Sequence, residues 1–119
     1  MPPVEIKNNV YWVGAIDWNI RDFHGYSTNQ GTSYNAFLVM DEKITLFDTV
    51  KKAFWSDLHN NITQLIDPQK IDYIVVNHVE LDHSGSLPEA VEYIKPKEVF
   101  CSPMGEKAIN DHFQVINFH

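Results

Sequence analysis

From Ile71 to Val76 the chain is almost uniformly apolar, and it then enters NHVELDHSGS, which holds His78, Glu80, Asp82 and His83 within six positions. A short apolar run of this kind is the pattern of a central strand buried on both faces. Beyond the cluster, Ser86 and Glu89 have the S-x-x-E spacing of a capping box, and Leu87, Ala90, Val91 and Ile94 follow at amphipathic-helix intervals. Strand, ligand-rich connection and helix in that order predict an α/β (α+β) chain. In such a chain a mixed sheet is covered by helices and the chemistry lies at the carboxyl end of a strand.

The cluster reads as a metal site. Imidazole with carboxylate is a donor set suited to iron, zinc or manganese, and no other stretch concentrates so many donors. On a helix Asp82 would stand one turn above His78 while Glu80 pointed away. On extended backbone, positions 78, 80 and 82 share a face. The spacing therefore predicts ligands on a strand end or loop, and binding of cations would relieve the repulsion between Glu80 and Asp82.

The remaining pattern supplies the rest of the sheet. Val4 to Lys7 and Val10 to Ile16 flank Asn8-Asn9, a hairpin signal because asparagine tolerates the left-handed backbone of a tight turn. Asp17 to Ser33 reads as a long, aromatic-rich loop. Asn35 to Met40 and Ile44 to Thr49 form a second hairpin ending near Asp48. Phe54, Leu58, Ile62 and Leu65 predict a helix stopped by Pro68. A strand at Glu98 to Cys101, a helix from Ser102-Pro103 and a last strand at Val115 to Phe118 complete the reading. The sequence stops in that last strand without a cap, which reads as truncation.

Charge and composition narrow the partners. At 119 residues with 44% hydrophobic content the chain fits one domain. Nine Lys+Arg against 16 Asp+Glu give a formal charge of -7, which repels nucleic acid and anionic membrane surfaces. The lone Cys101 excludes an internal disulfide and reads as a buried structural residue. The N-terminus lacks the pattern of a secretory signal, and no run approaches a membrane span, so a cytoplasmic location is expected. His59, His112 and His119 read as surface residues, and Trp12, Trp18 and Trp55 as packing groups. Asp48 has two readings, a brace for the ligand loop or a helix N-cap.

The segment His78-Val79-Glu80-Leu81-Asp82-His83 resembles the H-x-E-x-D-H signature of the flavodiiron proteins, the A-type flavoproteins. Val13-Gly14-Ala15-Ile16-Asp17-Trp18, Arg21-Asp22-Phe23-His24-Gly25-Tyr26 and Leu46-Phe47-Asp48-Thr49-Val50 match the same family. The resemblance implies the N-terminal portion (1–119) of a metallo-β-lactamase-like diiron domain, part of an αββα sandwich. It further implies reduction of O2 to water, or NO to N2O, at a non-haem diiron centre fed by FMN and an electron donor such as rubredoxin. By motif position His78 and Glu80 would bind one iron, and Asp82 and His83 the other. A hydrolytic relative would carry histidine at position 80, so glutamate there moves the expectation from hydrolysis to oxidoreduction. His24, in the loop bordering the open side of the site, is expected to donate a hydrogen bond or proton to the bound gas, with Tyr26 a second candidate for the same pocket. The other reading of His24 is a capping residue in a polar loop.

Three more ligands of the family, two histidines and a bridging aspartate, have no counterpart in this sequence, nor does the flavodoxin-like domain that holds FMN. The resemblance therefore implies that the missing half, or a second chain, completes the centre, within the head-to-tail homo-oligomer usual in the family. The alternatives are a non-catalytic metal-binding or scaffolding remnant, and a metallo-β-lactamase-like zinc hydrolase.

Overall fold

The computed structural model of the protein describes residues 1–17, 22–23, 26–27, 32–78, 81–103 and 107. Its main feature is a six-stranded mixed sheet built from both sequence hairpins and the strand-helix alternation. The first hairpin is β1 (Val4–Lys7) and β2 (Val10–Trp12), closed by Asn9 in the left-handed region at φ 63°. The second is β7 (Phe37–Met40) and β8 (Ile44–Phe47). β9 (Tyr73–Val75) and β10 (Glu98–Phe100) add parallel to β8, giving the order β1-β2-β7-β8-β9-β10.

The parallel strands require crossovers, and helices supply them. α1 (Trp55–Leu65) links β8 to β9, with Leu58 and Ile62 buried as the apolar stripe predicts. α3 (Leu87–Ile94) links β9 to β10 and buries Leu87, Ala90 and Ile94. These side chains join the in-register row Leu38, Leu46, Ile74 and Val99 in one core. The alternate row, Trp12, Phe37, Phe47, Val75 and Phe100, is only half-buried. That corrects the expectation of a strand covered on both faces: within β9 only Ile74 is fully buried. Side chains alternate across a strand, so the described helices cover one set and not the other.

The long loop expected from Asp17 to Ser33 is also corrected where it is described. Asp22–Phe23 (β4) pairs with Tyr26–Ser27 (β5), and Thr32–Tyr34 (β6) pairs with Ala15–Asp17 (β3). Strands of two or three residues are too short to show a period in sequence. Next to β3, Gly14 lies so close to Tyr34 that a Cβ would stand 1.9 Å from the Tyr34 carbonyl oxygen. Buried Asn61 on α1 donates to the carbonyls of Val13 and Gly14 at 3.1 and 3.0 Å, tying this strand to the helix.

Two further expectations change. His59 is half-buried rather than on the surface, its ring edge-on to Tyr93 of α3 at 4.5 Å and tilted against Trp55 at 5.6 Å. Amphipathic spacing does not reveal that α3 packs there. Ser86 does start α3, but its side chain caps nothing, because its hydroxyl is engaged with Val50, so the capping box does not form. Cys101 follows β10 and packs, half-buried, against the core. Trp55 packs against the core and Trp12 donates to Asn35. Trp18, His112, His119, the strand at 115–118 and most of the helix after 103 lie outside the described residues. Among the described residues no helix is long and apolar enough to cross a membrane.

Asp72 joins the two crossovers electrostatically and yields a pH prediction. It accepts from the Ile44 amide at 2.9 Å and stands 3.3 Å from the Lys97 ammonium. The Ile44 hydrogen bond above all, with lesser help from Lys97 and Lys43, holds its carboxyl below the usual carboxylate range, although burial, second in size, opposes them. A depressed folded value means the stabilisation is present above the unfolded value and lost as pH falls through the folded one. Asp72→Asn should therefore cost more stability at about pH 6 than at about pH 3, read from urea unfolding midpoints. An equal cost at both pH values would remove this role.

Candidate metal centre

β8 ends at Phe47, and Asp48 then turns into the left-handed region at φ 63°, which aspartate tolerates better than most residues. The turn directs its buried carboxylate at the segment leaving the neighbouring strand β9. Oδ1 accepts from the amides of Asn77 at 2.7 Å and His78 at 3.2 Å. Asp48 also donates its own amide to the Val75 carbonyl at 2.8 Å. The start of the ligand segment is thus attached to the end of the adjacent strand. The N-cap reading of Asp48 is overturned, since the helical turn at Lys52–Phe54 has Lys51 at its N-cap, and the bracing role stands.

The other carboxylate oxygen faces both imidazoles. Asp48 Oδ2 lies 3.4 Å from His78 Nδ1, at the long end of hydrogen-bond reach, and 3.9 Å from His83 Nδ1. The two rings stand 4.6 Å apart with a 34° tilt. Donor atoms of Asp48, His78 and His83 all lie within 4.8 Å of one another, close enough to serve one cation. Alternatively, a carboxylate at Nδ1 fixes the tautomer and leaves Nε2 as the ligating nitrogen. Side-chain exposure falls from 58% at His78 to 21% at His83 and 8% at Asp48, so the group opens toward solvent at its His78 side. A buried anion beneath two partly exposed imidazoles is a donor set that fits a transition-metal cation.

His83 reaches this position from a different element than expected. It lies on a one-turn helix, α2 (Leu81–Ser84), rather than on a strand end or extended loop, whereas His78 is in the connection after β9. The helix turns the chain back so that residues five apart face each other, which an extended segment would not achieve. Thr49 follows Asp48 and donates both its amide and its hydroxyl to the His83 carbonyl, each at 2.7 Å. Val50 and Ser86 are then paired through Ser86 N–H to Val50 O at 2.9 Å and Ser86 Oγ–H to Val50 O at 3.0 Å.

The structure thus brings together His78 and His83 and adds Asp48. Asp82 is placed on α2 by its backbone, but its side chain, Glu80 and His24 lie outside the described residues, as does the side chain of Tyr26. Thr49 carried no signal beyond its place in the Leu46-Phe47-Asp48-Thr49-Val50 motif, and Ser86 signalled only a cap.

Comparison with known proteins gives a consistent picture. The family described as ODP family beta lactamase matches residues 32–118. Rubredoxin-oxygen oxidoreductase of Megalodesulfovibrio gigas is 52% identical over 114 residues, 95% of this chain and 28% of that protein. Nitric oxide reductase of Moorella thermoacetica is 44% identical over 119 residues, 98% of this chain and 30% of its own length. Among solved structures, the flavodiiron protein from Giardia intestinalis superposes with a TM-score of 0.88 at 34% identity, covering 95% of this chain and 28% of that one. The chain therefore spans under a third of the length of these relatives.

Proposed function

The chain belongs to the ODP beta-lactamase family and matches the N-terminal part of flavodiiron proteins, and from that premise we propose that it furnishes four of the seven protein ligands of an O2- or NO-reducing diiron centre. The observation that carries this is the pairing of His78 and His83 over the Asp48 carboxylate. Residues 1–119 are, in this reading, the N-terminal portion of a metallo-β-lactamase-like diiron domain. FMN, the remaining ligands and a rubredoxin-like electron donor belong to the rest of an assembled, cytoplasmic, head-to-tail oligomer.

Each residue has a distinct task. His78 and His83 offer imidazole nitrogens, and Asp48 orients them from below. Glu80 and Asp82 supply the anionic oxygens, one for each metal position. An iron pair held there would relay to the gas the electrons that FMN delivers. His24 hydrogen-bonds the gas or passes it a proton, which matters because reduction of O2 or NO consumes protons. The glutamate at position 80 favours this reading over a zinc hydrolase, because it replaces the imidazole of hydrolytic sites with a harder donor.

The test is the metal content of the assembled protein, with the remaining ligands present, after anaerobic supply of ferrous salt. Glu80→Ala should lose about half the iron held by the parent, since one of two positions forfeits its carboxylate, with an unchanged circular dichroism spectrum. Full iron retention in that variant would contradict the assignment. Preference for zinc with hydrolytic turnover would favour the hydrolase, and weak substoichiometric metal the scaffolding alternative.

A further inference from the structure

The helix that carries His83 cannot hold itself in place. α2 has four residues, a single turn, and isolated helices of that length do not persist in water. The last carbonyls of any helix also lack partners within it. At His83 that carbonyl receives two donors from one residue: the Thr49 amide and the Thr49 hydroxyl, both at 2.7 Å. Thr49 is 1% exposed, so both donors are shielded from solvent.

Thr49 is also covalently next to Asp48, whose carboxylate holds the amides of Asn77 and His78. Two consecutive residues therefore grip the two ends of the ligand segment, one at the amide of His78 and the other at the carbonyl of His83. The imidazoles carried by the two gripped ends stand 4.6 Å apart.

We propose that Thr49 is a positioning residue: its hydroxyl, with its amide, fixes the His83 carbonyl and thereby sets where the His83 imidazole meets metal. The proposal rests on the metal reading above, but part of its test does not. The backbone amide would remain in any substitution, so the side-chain hydroxyl is the separable element. Thr49→Val keeps the shape and removes it, and Thr49→Ser keeps it while removing a methyl group.

Two measurements on the full chain decide the matter. With Co2+ as the probe, Thr49→Val should bind about tenfold more weakly and shift the visible d–d bands, as loss of a group supporting a ligand does. In metal-free protein, amides between 81 and 86 should exchange faster in Thr49→Val while those of β7 and β8 keep the parent rates. Thr49→Ser should restore affinity, spectrum and exchange. If Thr49→Val does not fold, Thr49→Cys, whose thiol is a weak donor, is expected to show the same losses. Parent-like affinity, bands and local exchange in the hydroxyl-free variant would overturn the role of Thr49. If the parent, assembled with the rest of its centre, takes up no Co2+, the metal reading fails and the exchange comparison alone still decides whether Thr49 holds α2.

Discussion

Asp48→Ala is expected to bind metal at least about tenfold more weakly than the parent, and to lose about 3 kcal/mol of folding stability. The stability loss follows from two backbone amides, those of Asn77 and His78, which lose their acceptor, a carboxylate only 8% exposed. A fully buried donor left without a partner costs about 1–3 kcal/mol, and these two part-buried ones, on exposed residues, fall at the lower end each. The positive φ adds to it, because alanine is less tolerant of the left-handed region than aspartate. The affinity loss follows from the other oxygen, which faces His78 and His83. Asp48→Asn separates the two effects: it tolerates the same backbone and keeps an acceptor for the amides, yet removes the negative charge beneath the imidazoles. Urea unfolding and metal titration of both variants provide the check. If Asp48→Ala matched the parent in both, the carboxylate would have no part in the centre.

Gly14→Ala is expected to destabilise the fold by about 3 kcal/mol or more, at the upper end of what overpacking costs. The added Cβ would stand 1.9 Å from the Tyr34 carbonyl oxygen, 3.0 Å from its carbonyl carbon and 3.1 Å from the Ala36 amide nitrogen. All three atoms are backbone, so no side chain can rotate away. Relief requires β3 and β6 to separate, which stretches the Val13 amide bond to Ala36 and moves two carbonyls from the Asn61 side chain. A fall in melting temperature on the order of 10 °C is the expected reading. A shift of a degree or less would show that the two strands accommodate a methyl group without cost.

Gly14 also illustrates how unevenly the structure was legible. Its motif, Val13 to Trp18, carried the family resemblance, but nothing in those letters indicated that Tyr34 passes over the glycine. Helix α1 was readable because Phe54, Leu58, Ile62 and Leu65 repeat with the helical period, and that repeat is local. His59 on the same helix was misread because its environment is made by Tyr93, a residue of another helix. Ser86 was misread for a related reason: a capping box and a cross-loop hydrogen bond use the same hydroxyl, and only the approach of Val50 selects between them.

In the candidate metal centre the same division holds. The crowding of imidazoles at His78 and His83 was readable, since residue type and spacing after an apolar strand are properties of one short segment, while their role as ligands belongs to the proposal. The one-turn helix was not, because a single turn is stabilised by outside contacts rather than by its own propensity. Asp48 lies 30 positions before His78, and the two meet only because β8 and β9 pair in parallel, with Phe47 beside Val75. Local periodicity and donor type are written residue by residue along the chain, whereas convergence of distant side chains is created by strand register, and register exists only once the sheet has formed.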